Sequence, residues 1–321
     1  MIYLSLLLIA TALAFSVICD SGGGVLLRGG PYLAGIAGLA PLILPWRHIS
    51  RPRGWIGPGF FPMAGLALAR ILSAAVHGHG WDFVLISLTG PIAYLYWRRR
   101  PNRIAPTLRN FGLVLVLVQI GLRFVGYFIN SNLMAHCLML CLAACLAPGD
   151  LGERLPRPLV AGAMVMALIS TTSKGAAMGA VFMLAWWWSA PWVALPVAPA
   201  AALALWQFRR SNSVGWRLEC WRSALSRIWS APLMGLGPGA RASLQRQAAH
   251  AHNLALNELL WDGVVGLALV GAGAAVAVAA RRRFPRWALA GLIGYLVHTL
   301  VDDFTGSALC LALLAGLLAA T

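Results

Sequence analysis

Apolar residues in this chain come in runs of 13 to 20, broken by short polar or proline-containing punctuation. Stretches such as Leu113–Val118 and Leu267–Ala280 are apolar on every side. A helix needs about 20 apolar residues to cross a bilayer, whereas a membrane β-barrel strand would alternate over about 10 residues. The pattern predicts helices over 3–19, 31–46, 56–75, 81–97, 111–129, 133–147, 158–170, 176–188, 192–208, 263–280, 287–300 and 305–320. Several are shorter than a full crossing. The pair 176–188 and 192–208, joined at Ser189-Ala190-Pro191, reads either as a half-depth hairpin or as one kinked span. The expected fold is therefore an all-α polytopic membrane protein of about twelve (ten to twelve) helices, with one long loop over 209–262. Within that loop Trp216, Leu218, Trp221, Leu225 and Ile228 recur at helical spacing among arginines. This predicts an amphipathic helix on the membrane surface.

Composition agrees. Of 321 residues 60% are hydrophobic and 11% charged, against roughly 25% charged in a soluble domain, which excludes a water-soluble globular fold. The net charge of +16 comes from 25 basic and 9 acidic residues. In a membrane protein that excess is the ordinary bias of cytoplasmic loops and gives no reason to expect nucleic acid as a partner. Residues 1–19 have no basic n-region and no small-residue cleavage site, so a retained first span is expected. With the N- and C-termini in the cytoplasm, the inner loops hold 14 basic residues and the short outer loops only Arg28 and Lys174. The 209–262 loop then lies outside although it carries Arg209, Arg210, Arg217, Arg222, Arg227, Arg241 and Arg246. A polyanionic substrate at the outer leaflet would account for a basic external loop.

Ionisable groups inside hydrocarbon are costly and by default mark function. Arg70 and Arg123 sit within apolar spans, in the halves nearest the basic loop. The same leaflet is expected to hold Lys174, His298, Asp302, Asp303, His250 and His252. Asp302-Asp303 reads as an ion-pair partner for an arginine more readily than as a metal site. Cys137, Cys141 and Cys145 recur every four residues on one apolar face, which is a packing pattern and not a metal or disulfide framework.

The sharpest local signal is Leu236-Gly237-Pro238-Gly239, then His250-Ala251-His252-Asn253, then nine residues to Gly263-Val264-Val265-Gly266 at the start of a membrane helix. This resembles the signature of the O-antigen ligase and O-antigen polymerase family. A second resemblance is Thr172-Ser173-Lys174-Gly175, where that family usually shows Ser-Arg-Gly. The motifs span 158–320, including the loop 209–262, while 1–157 matches only as hydrophobic N-terminal helices. The resemblance implies a glycosyltransferase of the bacterial inner membrane acting at its periplasmic face. Its donor would be an undecaprenyl-diphosphate-linked glycan and its acceptor lipid A-core or a growing glycan, with membrane lipids around it.

The chemistry such a reaction needs is present. Cations must stabilise a departing diphosphate, and Arg70, Arg123, Lys174, Arg222 and Arg241 are candidates. The attacking hydroxyl needs a base near neutral pH, which histidine supplies. The motif register selects His252 over His250, with Asn253 beside it to orient the imidazole or bind a sugar hydroxyl. No metal or cofactor is invoked. Ligation and repeat-unit polymerisation share this bond-breaking logic, ligation being favoured. From another class, a multi-pass transporter is the alternative.

Overall fold

The computed structural model describes residues 56–124, 131–148, 156–188, 212–237, 251–302 and 308–320. Among these, 83% are helical and no strand is present. The helices are α1 Phe60–His77, α2 Trp81–Arg98, α3 Pro101–Phe124, α4 Ser131–Cys145, α5 Arg157–Ser170, α6 Lys174–Trp188, α7 Asn212–Ile228, α8 Leu254–Ala279, α9 Arg286–Thr299 and α10 Ala308–Ala319. A 3₁₀ turn, Arg281–Arg283, joins α8 to α9.

Nine of the twelve expected spans have a helical counterpart here; those at 3–19, 31–46 and 192–208 lie outside the described residues. Among the described residues, three helical stretches are long and apolar enough to cross a membrane: Phe60–His77, Pro101–Gly121 and Leu254–Ala279. Shorter apolar helices include Asn132–Cys145, Arg157–Ser170 and Cys310–Ala319. The described residues thus form an all-helical fold whose apolar helices point to membrane association.

The largest boundary difference is α3, which begins ten residues before the expected 111–129 span and draws Arg103 and Arg109 out of their expected loop. Pro101 opens it, suited to a first helical position where no backbone N–H is needed. A hydropathy reading stops at an arginine, but an arginine's aliphatic stem lies comfortably against apolar neighbours. Arg109 is accordingly buried.

The core is built around α4. Its residues from Met134 to Cys145 are all buried, as expected of a helix apolar on every side. It is enclosed by α3, α5, α6, α9 and α10. Cys137, Cys141 and Cys145 lie in this core, packed against neighbours such as the Met164 thioether. α6 and α9 cross closely where Gly179 faces Gly294: a Cβ on Gly179 would stand 2.6 Å from the Gly294 carbonyl oxygen. Small residues let helix backbones approach where apolar lipid gives no net drive for association. The other extensive pairings are α8 on α1 and α10 on α2.

The amphipathic helix expected in the long loop is α7. Ala224 and Ile228 are buried against Leu260 and Trp261 of α8, and Cys220 is buried as well. Leu218, Leu225 and the following Trp229 remain exposed on one side, an apolar face suited to an interface. Burial raises the Cys220 thiol pKa above its ordinary value, with the Glu219 charge adding to the effect.

Candidate functional site

The His-Asn-x9-Gly-x-x-Gly segment folds as one unit. Asn253, in extended conformation, caps α8 by accepting the Leu256 N–H at 3.1 Å, and its amide donates to the Leu300 carbonyl of α9 at 2.9 Å. Asn and Asp are favoured at this position because the side chain replaces a missing helical acceptor. The segment from Leu254 runs helically into the apolar stretch predicted over 263–280, but it kinks at Gly263, whose φ of 66° and ψ of −165° are open essentially only to glycine. The broken helical bonds are replaced from the loop. Val264 and Val265 donate to the carbonyls of Pro232 and Leu233, while Leu236 and Gly237 donate to those of Leu260 and Trp261. Gly237 and the first glycine of Gly-x-x-Gly therefore belong to one backbone junction. This agrees with a packing role for those glycines.

Immediately before the cap, His252 adopts φ 50°, a left-handed conformation uncommon outside glycine. Its Nδ1 lies 3.0 Å from Oδ1 of Asp302, and its ring stacks at a tilt against Trp216, centroids 4.6 Å apart. Asp302 is 5% exposed, with Arg217 Nη2 at 3.9 Å from its other oxygen, while His252 is 20% exposed. The expected role of Asp302 as an arginine's partner is met by Arg217, but its nearer contact is the histidine. With Nδ1–H donated to the carboxylate, Nε2 carries the lone pair, an arrangement that fixes the tautomer and aims a base.

Behind this dyad, the N–H of Asp302 bonds to the His298 carbonyl at 3.1 Å. The His298 imidazole meets His136 of α4, Nδ1 to Nδ1 at 3.0 Å, both rings buried. The Thr-Thr-Ser-Lys-Gly segment forms the tight α5–α6 turn, with Thr172 at φ 58° and the Ser173 hydroxyl near the Ala176 N–H that it caps. Gly175 fits because a Cβ there would strike His298 and Val301. Lys174, exposed at the first position of α6, is thereby brought to the His298 end of α9.

Arg70 has a different environment from the phosphate contact expected of it. It is 2% exposed, with Nη2 2.7 Å from Glu258, Nη1 bonded to Asp262, and its guanidinium 4.8 Å from the Trp261 ring centroid. Two buried carboxylates compensate its charge, so a phosphate would have to displace them. Ser73 donates to the Trp261 carbonyl at 2.9 Å, and His77 bonds the Gly235 carbonyl at 3.0 Å. This ties α1 to the same junction.

Arg222 is exposed on α7. Arg123 lies near the end of α3, its side chain outside the described residues, as are Arg241 and His250. The described residues include no grouping of three or more His, Cys, Asp or Glu able to hold a metal ion. A groove of about 300 Å³ between α8 and α9 runs from Leu254 and Leu300 past Glu258 to Val270 and Gly271. Sequence reasoning missed Arg217, one of seven loop arginines, and the pairings of Glu258 and Asp262. No local signal distinguishes these residues, because their partners stand 85 or more positions away. No family model matches the chain, and no curated protein matches it.

Proposed function

We propose that the chain is a membrane glycosyltransferase that moves a glycan from a polyprenyl diphosphate to a sugar hydroxyl at the periplasmic face of the bacterial inner membrane, with O-antigen ligation as the favoured reaction. The observation that carries this reading is the His252–Asp302 dyad at 3.0 Å, located at the start of a kinked membrane helix and within the matched motif. In the proposed reaction the acceptor hydroxyl gives its proton to Nε2 of His252 as its oxygen bonds to the anomeric carbon. The bond from that carbon to the diphosphate breaks, and the diphosphate leaves with the electron pair. Asp302 orients the imidazole and stabilises it once protonated. Lys174 at the start of α6, with Arg217, Arg222, Arg123 and Arg241, supplies cations for the diphosphate. The apolar α8–α9 groove, ending beside His252, suits the polyprenyl chain.

The deciding experiment is transfer by the purified protein from a lipid-linked donor to an acceptor, in detergent, with and without a chelator. Transfer that survives chelation and is lost in His252→Ala supports the reading; wild-type transfer by His252→Ala sinks it. Deleting the gene separates the two variants of the reaction. Complete lipid-linked polymer left unattached means ligation, whereas single repeat units mean polymerisation.

One observation favours the transporter alternative. Three buried charges, Arg70, Glu258 and Asp262, sit beside a broken helix, a combination that transporters use for coupling ions. Substrate uptake into proteoliposomes without glycan transfer would select it.

A further inference from the structure

α7 carries two apolar stripes, and they face opposite ways. Trp216, Cys220, Ala224 and Ile228 recur every four residues and so share one face. Leu218 and Leu225, continued by Trp229, lie roughly half a turn round the helix from Trp216. Along the first stripe Cys220, Ala224 and Ile228 are buried, the last two against Leu260 and Trp261 of α8. Trp216 shares their face and yet is 37% exposed. The reason lies in where α8 begins. Trp216 stands level with His252, just ahead of the Asn253 cap, and meets its ring with centroids 4.6 Å apart and planes inclined at 60°.

We propose that Trp216 is the platform on which the acceptor sugar stacks as it presents a hydroxyl to His252. The inference rests on the glycosyltransferase reading and adds to it the subsite for the acceptor. A base takes a proton only across hydrogen-bond distance, about 2.6–3.2 Å, so the reacting hydroxyl lies beside the imidazole. The indole that touches that imidazole is then beside the rest of the same sugar.

The chemistry of the surroundings suits a sugar. A pyranose carries C–H groups on its faces and hydroxyls around its edge. The C–H groups are slightly positive and match the negative face of an aromatic ring, of which tryptophan has the largest. The hydroxyl edge needs hydrogen-bonding groups. Beside Trp216 stand His252, Asp302 and Arg217, whose side chains are 20%, 5% and 19% exposed. An acyl chain has no use for such a polar border, and the stripe of α7 suited to lipid, Leu218 and Leu225, is on the other side. The donor's diphosphate seeks cations and not an indole, so the acceptor is the better fit.

The test measures transfer by the full chain in detergent, with donor and lipid A-core acceptor varied separately, in the wild type, Trp216→Phe and Trp216→Leu. Leucine keeps apolar bulk against His252 but has no aromatic face. Trp216→Leu should raise the acceptor KM roughly tenfold with the donor KM unchanged, and Trp216→Phe should recover most of that loss. An unchanged acceptor KM, with or without a fall in kcat, would show that Trp216 at most steadies the imidazole. A rise in donor KM alone would put the donor there, and equal losses in the two variants would remove the stacking argument. Each of these overturns the platform and leaves the transferase reading in place. A second measurement needs no variant to fold. Without donor, the oligosaccharide released from lipid A-core by mild acid should slow hydroxyl-radical oxidation of Trp216 in the wild type several-fold and leave Trp229 unchanged. Protection of neither residue, or of both alike, overturns the proposal. Protection of Trp216 alone in a protein that transfers no glycan would uphold the sugar site and sink the transferase reading.

Discussion

Two charge systems flank the first turns of α8, and they are built in opposite ways. Arg70 is sealed between α1 and α8 beside the Trp261 ring, one guanidinium shared by the carboxyl groups of Glu258 and Asp262. His252, only six residues before Glu258 and on a left-handed backbone, meets Asp302 at 3.0 Å with its imidazole 20% exposed. Both join distant parts of the chain. The side chains of the first are almost wholly buried, whereas the histidine of the second is 20% exposed. Exposure at His252, and not residue type, is what separates the proposed base from the buried ion cluster.

That contrast predicts that substitutions will split between two readouts. His252→Ala should reduce transfer by roughly 10²–10⁴-fold while the melting temperature in detergent stays at the wild-type value. Asp302→Asn should follow with a smaller loss, roughly tenfold or more, because an amide does not enforce the same tautomer. Arg70→Ala should do the reverse, lowering stability by about 3–5 kcal/mol because it strands two buried carboxylates. Its signature is poor accumulation and a depressed melting temperature, with whatever protein survives keeping its transfer rate per molecule. A stable Arg70→Ala protein that cannot transfer would abolish the contrast and return Arg70 to the substrate site.

Smaller effects sharpen the comparison at the junction between the two systems. Gly263→Ala forces a side chain into a glycine-only conformation against the Leu233 backbone and should cost about 1–3 kcal/mol, read by thermal unfolding. Asn253→Ala removes a helix cap and should cost about 1 kcal/mol. Asn253→Asp retains the cap and should cost less. If Asn253→Asp instead loses transfer as severely as His252→Ala, the amide binds substrate as well as capping α8.

Much of the architecture was legible because it is local. Apolar runs give helices wherever the chain stays in hydrocarbon, and the periodicity of the long loop is enough to predict α7. Helix starts were less legible where arginines intervene, as at α3, since a charge interrupts hydropathy without interrupting a helix. The site was half legible. His252 and Asn253 stood out by spacing, yet Asn253 turned out to cap α8 and hold Leu300, and the imidazole is oriented by Asp302, fifty residues away.

By itself, the sequence determined the helical class, the affinity for membrane and the clustering of candidate residues around one loop. These depend on composition and on intervals of a few residues, which a helix converts directly into position. Only the tertiary structure decided which charges are paired. Arg70 and Arg123 look alike as cations in apolar spans, and nothing within a few residues of Arg70 announces two carboxylates 188 and 192 positions later. Such pairings depend on how helices pack, and packing brings together residues whose separation along the chain carries no information about their contact.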